Sequence, residues 1–267
     1  MQWTKTPCGS SEIYCKEGTK EYFDAVQKQR YLLYAPWLLE YIRSIDAKGK
    51  KVLEIGCGLG TDLMEFSKQG AQCYGIDLTP KHVSLAKKRF KLNNISPNIY
   101  QMDATKLKFK NDFFDIVYSH GVLHHIPSIE LSLKEIYRVL RKRGKAHLMV
   151  YHKRSLDYYK ILGYYGILRG QLLKKGIDGI LSEVIEANSK ETKPHVKVYS
   201  MHEFNHLLES AGFEVKKMYA NHILDEKRSA LLRKVIPENL FKGIGRKFGW
   251  YLIAEAIKND DSIRCKP

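Results

Sequence analysis

The stretch VLEIGCGLGTD, at positions 52–62, restricts the fold more than any other part of this sequence. An apolar, β-branched run stops at Gly56, Gly58 and Gly60, and a helix-like pattern follows directly. Glycines at a strand-to-helix turn let a ligand approach the backbone, and the first helical turn offers N–H groups without intrahelical partners. The stretch therefore predicts a buried strand, a tight glycine turn and a ligand-binding helix N-terminus.

Strand-like and helix-like segments alternate along the chain after residue 50. The predicted strands cover 51–56, 72–77, 98–103, 114–121, 145–152, 213–220 and 250–258. The predicted helices cover 61–70, 79–94, 127–144 and 200–212. This cadence is typical of parallel βαβ units, so we expect an α/β fold with a doubly wound, Rossmann-like sheet.

Two segments fall outside this alternation. Residues 1–45 are rich in aromatic residues at helical spacing, and residues 153–199 are too long for an ordinary connection after the fifth strand. We expect an N-terminal helical cap over 1–45 and a main domain over 46–267, in which 153–199 is a helical insertion that forms a lid or a wall of the acceptor site.

The chain is strongly basic, with a formal net charge of +16. Such an excess suggests an anionic partner such as nucleic acid, a membrane surface or an acidic small molecule, or else a lysine-rich solvated surface. The basic residues are spread along the chain and no aromatic RNA-binding motif accompanies them, so nucleic acid is not the favoured partner.

The cysteines are odd in number and scattered, which favours reduced thiols in a cytoplasmic protein over a disulfide framework. They are Cys8, Cys15, Cys57, Cys73 and Cys265. Cys8 and Cys15 lack a second pair at zinc-binding spacing, so we expect no metal site. The N-terminus shows no signal pattern, and no uncharged run of about 18 apolar residues predicts a membrane span.

The residues around the glycine turn indicate which kind of cofactor binds there. A dinucleotide fingerprint needs glycine at position 61, where this chain has Thr61. Glu54 places a carboxylate beside the turn, which would repel a pyrophosphate but attract a cationic amino-acid group. The cofactor that carries such a group is S-adenosyl-L-methionine, with its ammonium and sulfonium.

Four motifs follow one another at suitable spacing: VLEIGCGLGTD, YGIDLTP, MDATKLKF and FDIVYSHGVLHHIP. Together they resemble the motifs of class I S-adenosylmethionine-dependent methyltransferases, in particular the quinone and small-molecule methylases. The resemblance covers residues 50–152 closely and the later strands in outline. It implies a seven-stranded sheet in the order 3-2-1-4-5-7-6, and S-adenosyl-L-homocysteine as product. Pro-Cys-Gly-Ser at 7–10 resembles the N-terminal motif of a microbial subgroup of these methyltransferases. That resemblance indicates no particular methyl acceptor.

The resemblance also implies which residues contact the cofactor. Asp77 would accept hydrogen bonds from both ribose hydroxyls, with Leu78 beside the adenine. Asp103 would accept a hydrogen bond from the adenine amino group, and the Ala104 N–H would donate one to the adenine ring. The alternative is that Asp103 only forms a turn. The other residues expected at the cofactor are Glu54, Gly56, Gly58, Gly60, Ser119, His120, Tyr22 and Arg30. Arg30 is the expected carboxylate clamp, although its helix could simply pack on the sheet.

His124 and His125 lie at the mouth of the cleft in the resemblance. Either one could act as a general base near neutral pH, with His125 the first choice, or both could be packing or positioning residues. No Asn-Pro-Pro-aromatic or Asp-Pro-Pro-aromatic tetrapeptide follows the fourth strand, which disfavours the adenine-N6 and glutamine methylases.

The insertion indicates the acceptor class. Its residues Ile161, Tyr165, Leu168 and Leu172 lie at helical spacing and predict an apolar face that closes over a small-molecule or lipid-like, amphipathic acceptor; a helical pair packed on the core is the alternative. Basic residues around that face could hold an acidic group or an anionic membrane surface; they are Arg154, Arg169, Lys174 and Lys175.

The expected activity is therefore methyl transfer to an O, N or C atom of such an acceptor. An RNA methyltransferase, a non-catalytic cofactor-binding partner and an enzyme with other S-adenosylmethionine chemistry are the alternatives. The sequence does not define the acceptor or the oligomeric state.

Overall fold

The computed structural model describes residues 13–96, 98–185, 194–222 and 237–259. Its strands are β1 (Lys51–Ile55), β2 (Gln72–Asp77), β3 (Asn98–Gln101), β4 (Phe114–His120), β5 (Leu140–His152), β6 (Val198–Tyr199), β7 (Phe213–Asn221) and β8 (Tyr251–Lys258). They form one sheet in the order β3-β2-β1-β4-β5-β8-β7, with β6 paired to β5. β1 to β5 are parallel, whereas β8 runs antiparallel to both neighbours. The predicted order is confirmed, and the two-residue β6 is the addition that the sequence did not predict.

Helices cover both faces of this sheet. The α-helices are α1 (Lys20–Lys28), α2 (Pro36–Ser44), α3 (Thr61–Lys68), α4 (Pro80–Leu92), α5 (Ile129–Val139), α6 (Leu156–Ile161), α7 (Leu172–Val184), α8 (Met201–Ser210) and α9 (Glu238–Phe248). One core cluster joins α5 and α8 to the sheet through Leu133 and Phe204. A second joins α2, α3 and α4 to the other face through Leu38, Phe66 and Phe90. The two clusters are the two buried layers of a doubly wound sheet.

The third predicted helix is shorter than expected. Its apolar spacing continues to Leu140, which is fully buried, but α5 ends at Val139 and Leu140 already pairs with Phe114 in the sheet. The following Arg143 has a φ of 62°, and a Cβ on Gly144 would lie 2.8 Å from the Arg141 carbonyl oxygen. The Arg-Lys-Arg-Gly stretch therefore forms a tight, irregular entry into β5 and not the last helical turn.

The described part of the N-terminal segment is helical. Thr19 caps α1 by accepting a hydrogen bond from the Tyr22 N–H at 3.3 Å. A π-helical turn, Gln29–Tyr34, joins α1 to α2. Residues 1–12, which include the Pro-Cys-Gly-Ser motif, lie outside the described residues.

The insertion does not form the single apolar face that its sequence predicted. A second π-helical turn, Leu162–Leu168, follows α6, and Gly170 then adopts a φ of 62°. Both features break the 3.6-residue period on which the prediction depended. Leu168 is therefore 76% exposed and Leu172 is 37% exposed, while Tyr158 and Leu181 face the core. Among the described residues, no helix has the length and apolar character needed to cross a membrane.

Lys258, the last residue of β8, is hydrogen-bonded to the first residue of β5. Its side chain is almost completely buried, and its ammonium donates to the Leu140 carbonyl and to Asp112 Oδ1, both at 2.8 Å, and to the Arg138 carbonyl at 3.5 Å. Lys258→Met would leave the buried Leu140 carbonyl without this donor and would break the ion pair with the half-exposed Asp112. Because hydrogen bonds to charged groups contribute about 1.5–3 kcal/mol each, we expect a loss of about 2–3 kcal/mol in unfolding free energy, measured by urea denaturation.

The matched control is Lys217→Met, because Lys217 lies on β7, is largely exposed and contacts Glu255 only at 3.7 Å. That variant should change stability by less than about 0.5 kcal/mol. Equal losses in the two variants would show that the Lys258 contacts contribute nothing specific.

Candidate cofactor and acceptor site

The three glycines after β1 have different structural tasks. Gly56, Gly58 and Gly60 have φ values of 70°, 50° and 69°, a region that favours glycine. A Cβ on Gly56 would lie 2.2 Å from a Val122 methyl, so this glycine allows two loops to pack. A Cβ on Gly58 would meet no described protein atom within 4 Å. Gly58 is therefore the position at which the loop leaves room for a ligand.

Glu54 presents an incompletely bonded carboxylate beside this loop. It lies near the end of β1 and is buried, and within the described ranges its Oε2 has no hydrogen-bond partner. Burial raises the pKa of Glu54 well above its usual value, and the neighbouring carboxylate of Asp62 adds to the rise. Because an unpaired buried carboxylate is costly, this site fits a ligand that brings a cationic hydrogen-bond donor.

Asp62, in the first turn of α3, is by contrast fully bonded. The guanidinium of Arg30 donates to both of its oxygens at 2.6 and 2.5 Å. The hydroxyls of Tyr31 and Tyr118 donate to it at 2.7 and 3.0 Å. Burial alone would raise the pKa of Asp62, but the charge and hydrogen bonds of Arg30 hold it below its usual value. The expected carboxylate clamp thus holds a carboxylate of the protein itself, so a cofactor carboxylate would have to share Arg30 with Asp62.

Asp77, the last residue of β2, holds the loop in place. Its Oδ2 accepts a hydrogen bond from the Gly58 N–H at 2.9 Å, and its Oδ1 accepts one from the Thr79 N–H at 2.9 Å. The His82 Nδ1 lies 3.2 Å from Oδ1. Burial alone would raise the pKa of Asp77, but His82 and the two N–H groups lower it, so the carboxylate is ionised at neutral pH. The adjacent Leu78 is exposed, as a side chain that covers a flat ring would be.

Other predicted cofactor residues are engaged within the protein. Asp103 accepts hydrogen bonds from the Thr105 N–H and hydroxyl, both at 2.8 Å, which is the turn-forming arrangement; Ala104 beside it is buried. Ser119 is fully buried in the sheet and donates to the Ile55 carbonyl at 3.3 Å. The Ser119 hydroxyl is thus engaged within the sheet, whereas Asp103 is exposed and takes part in its turn through Oδ1.

Tyr22 lies on α1 and not in the glycine loop. Its ring is buried against Phe23, 5.5 Å between centroids, in a small cluster with Leu59 and Leu85. Tyr22 therefore belongs to the same apolar cluster as Leu59 of the glycine loop.

The two candidate base histidines differ in their surroundings. They form a short 3-10 turn after β4, Leu123–His125. His124 is fully buried with its ring 3.7 Å from that of Tyr151, and burial holds its pKa well below the usual value. The His125 Nδ1 lies 2.8 Å from the His195 carbonyl. Because a carbonyl can only accept, neutral His125 carries its proton on Nδ1 and has its lone pair on Nε2.

An aromatic group lines the same edge of the sheet, and the sequence did not predict it. The ring of His120, at the end of β4, lies 5.9 Å from Trp37 and 5.4 Å from Tyr251, and Tyr251 stacks on His222 at 4.7 Å. Within the described protein, Trp37 Nε1 and His120 Nε2 are buried without hydrogen-bond partners. Burial, with the charge of Arg30, lowers the pKa of His120 to about 3, so its ring is neutral at physiological pH.

Two depressions of the described surface lie away from these residues. One of about 210 Å³ is lined by Lys145, His147, Lys216 and Glu255, and another of about 170 Å³ adjoins it. Both contain residues from the first half of β5, whereas ligands of such sheets bind at the carboxyl ends of the strands. Nowhere in the described ranges do three His, Cys, Asp or Glu side chains come together as a metal site would require.

Comparison with known proteins identifies sequences and structures that resemble this chain. Residues 53–148 match a family model described as a methyltransferase domain. The chain is 26% identical to an uncharacterized protein, MJ1252, of Methanocaldococcus jannaschii over 91% of this chain and 93% of that one. It is 30% identical to sterol 4-C-methyltransferase strm-1 of Caenorhabditis elegans over 41% of this chain. The alignment spans 35% of that relative and between 38% and 57% of several other curated methyltransferases.

Solved structures share the fold at low sequence identity. One chain of a complex that contains the Trm112 methyltransferase activator of Haloferax volcanii superposes with a TM-score of 0.61 at 18% identity, over 89% of this chain and 98% of that one. An S-adenosylmethionine dependent methyltransferase from Mesorhizobium loti gives 0.57 at 16% identity, over 88% and 99%. Residues 53–148 thus match a methyltransferase domain, and the chain has the α/β, Rossmann-like fold of these solved structures.

Proposed function

We propose that the protein transfers a methyl group from S-adenosyl-L-methionine to an O, N or C atom of a small-molecule or lipid-like acceptor. The observation that carries this proposal is the incompletely bonded carboxylate of Glu54 beside the open Gly58 position. A buried carboxyl group that lacks a partner for one oxygen, next to a left-handed glycine, fits a cationic amino-acid group, which would favour its ionised form, and opposes a pyrophosphate.

In this proposal the cofactor residues act in two groups. Glu54 receives the ammonium, and the Gly58 backbone borders the amino-acid portion. Asp77 accepts from the ribose hydroxyls with lone pairs that its two backbone donors leave, and Leu78 covers the adenine, with the backbone around Asp103 at the ring edge. Arg30 contributes a positive charge near the cofactor carboxylate while it remains bonded to Asp62.

The bound cofactor supplies a methyl group already activated by a sulfonium leaving group. The tasks left to the protein are alignment and exclusion of water. The described residues 13–45, through α1 and α2, form a cap in this proposal, and the described residues 153–185 form the wall of the acceptor side. Trp37 of α2 packs against the same cluster as Ile161 and Leu162 of the insertion, which supports this division.

The aromatic edge indicates the chemistry of the acceptor. Trp37, His120 and Tyr251 offer flat apolar surface with two buried polar atoms that lack partners in the described protein, Trp37 Nε1 and His120 Nε2. A neutral, partly apolar acceptor with one or two hydrogen-bonding groups fits this surface. Burial and the Arg30 charge, which keep His120 neutral, would equally oppose a cationic acceptor.

The direct test is untargeted. The protein is incubated with methyl-labelled cofactor and with separated lipid, aqueous small-molecule and RNA fractions of the source cell. We expect label in the small-molecule or lipid fraction. Label confined to RNA would establish the nucleic-acid alternative, and cofactor binding without any labelled product would establish the non-catalytic one.

Glu54→Gln should separate stability from cofactor binding. The folded-state pKa of Glu54 is raised, so its ionisation removes stability as pH rises through that value. The variant should match the wild type near pH 4 and be more stable near pH 8, measured by urea denaturation without cofactor. It should bind S-adenosylhomocysteine roughly tenfold to a hundredfold more weakly by calorimetry, because a charge-assisted hydrogen bond contributes about 1.5–3 kcal/mol. A variant that loses stability at pH 8 and keeps its affinity would contradict this role.

Two glycine variants should fail for different reasons. Gly58→Val projects a side chain into the space that no described atom fills, so its cost in stability should be limited to the backbone strain at a φ of 50°, and the variant should lose S-adenosylhomocysteine binding. Gly56→Ala collides with Val122 and should mainly lower the melting temperature. Calorimetry and thermal denaturation of both variants provide the comparison; tight binding by a folded Gly58→Val protein would make the loop purely structural.

His125 is the proposed base if the acceptor group is a hydroxyl. His125→Ala should then lower kcat about a hundredfold near pH 7, and the deficit should shrink as pH rises, because general-base catalysis contributes roughly 10²–10⁴-fold. The exposed His202 of α8 provides the matched control, since His202→Ala should leave the pH profile unchanged. If His125→Ala and His124→Phe both retain the wild-type rate across pH, the acceptor requires no histidine base.

A further inference from the structure

The insertion tip, residues 167–175, exposes a group of large apolar side chains. Ile167, Leu168 and Leu173 are 72%, 76% and 98% exposed. Single exposed apolar residues are ordinary on protein surfaces, but three within seven positions form a patch. This patch is on the opposite side of the insertion from the side chains that pack into the core.

The tip has defined internal contacts, and its inner side is already packed against other side chains of the insertion. Gly166 is buried, and a Cβ there would lie 3.2 Å from Leu162 and 3.8 Å from Ile180. The Arg169 guanidinium donates to the Tyr164 hydroxyl at 3.0 Å and lies 4.9 Å from the centre of that ring. Gly170 and Gly176, with φ values of 62° and 65°, turn the chain on either side of the outermost residues. The exposed apolar residues therefore cannot be accommodated by a simple inward rotation of the segment.

The charge of the tip indicates what covers it. The sequence ILRGQLLKK contains three basic residues, Arg169, Lys174 and Lys175, and no acidic one. Across 153–185 there are six basic and three acidic residues. A second copy of the chain would bring like charges together, and nucleic acid gives little benefit for exposed leucines. Exposed apolar side chains among basic ones match an anionic lipid surface, where the former enter the interface and the latter meet the headgroups.

A second segment with exposed apolar side chains supports an orientation in which the insertion tip faces a lipid surface. Leu32, Leu33 and Tyr34 are exposed in the π-helical turn just before α2. Trp37 follows them and packs on the cluster to which Leu162 of the insertion also belongs. The aromatic acceptor edge therefore lies between two segments with exposed apolar side chains.

We propose that the insertion tip docks the protein on an anionic lipid surface, with Ile167, Leu168 and Leu173 in the interface and Arg169 and Lys174 at the headgroups. This docking goes beyond the proposed methyl transfer and does not depend on it, because the tip is separate from the residues around Glu54. Vesicle binding can be measured without cofactor or turnover.

The test uses the full chain and vesicles of either phosphatidylcholine alone or phosphatidylcholine with phosphatidylglycerol. We expect co-sedimentation with the anionic vesicles, weakened by a rise from 50 to 500 mM salt. Leu168→Glu and Leu173→Glu should each lower the partition coefficient at least tenfold. Lys174→Gln should lower it about fivefold, since one basic residue near an anionic surface contributes about 1 kcal/mol. In Leu173→Trp, tryptophan emission should shift to shorter wavelength on these vesicles.

The matched control is Leu131→Glu, because Leu131 is a 50% exposed leucine on α5. It should bind vesicles like the wild type, and all variants should keep their melting temperatures and their affinity for S-adenosylhomocysteine. The proposal is overturned if anionic vesicles are not bound, if the tip variants bind as well as Leu131→Glu, or if Leu173→Trp shows no shift. Self-association that the tip variants abolish, without vesicle binding, would instead make the tip an interface between copies.

Discussion

One buried carboxylate, Asp62, attaches the N-terminal cap to the glycine loop, and the geometry of the site depends on that attachment. Burial of an ionised carboxylate costs several kcal/mol unless its lone pairs are filled. Here four hydrogen bonds from Arg30, Tyr31 and Tyr118 fill them, and the first turn of α3 adds the favourable field of a helix N-terminus. The cap, the helix after the loop and β4 are thereby held in one arrangement before any ligand is considered.

The contrast between Asp62 and Glu54 determines which of the two carboxyl groups is available to a cationic ligand. Both carboxylates are buried and the charge of Asp62 raises the pKa of Glu54, yet Asp62 is saturated with donors while an oxygen of Glu54 has none in the described structure. A cation that enters the site therefore finds one acceptor available and one already satisfied. The predicted loss of affinity in Glu54→Gln, combined with a gain in stability, follows from this asymmetry and not from the fold alone.

Local patterns in the sequence were sufficient for most of the fold. The strands and the glycine turn depend on apolar periodicity and on glycine at fixed positions, which act over a few residues, whereas the order of the sheet was implied by the resemblance to the methyltransferases. The network around Asp62 could not be predicted in that way, because its partners are 31, 32 and 56 residues distant along the chain. The acid was visible at the end of VLEIGCGLGTD, but its partners became evident only once the π-helical turn placed Arg30 and Tyr31 together.

The π-helical turns also explain why helical spacing was misleading in the insertion. A turn of this kind adds a residue to the repeat, so an apolar series that is continuous in sequence is divided between two sides of the segment. Its inner part joins the core and its outer part, with Leu168 and Leu173, reaches solvent. An apolar face that appears to close over a site can in this way become a surface that faces outward.

The net charge of the chain and the neutral aromatic edge favour two different kinds of recognition, one long-range and electrostatic and the other short-range. The proposed acceptor edge is aromatic, and its His120 is neutral at physiological pH. The chain as a whole carries a net charge of +16. A long-range positive field can gather anionic surfaces or molecules near the protein, whereas the neutral aromatic edge selects by shape and by one or two hydrogen bonds. A lipid-like acceptor with an apolar body satisfies both requirements, because the membrane that holds it is attracted by the surface while the reacting part fits the uncharged edge.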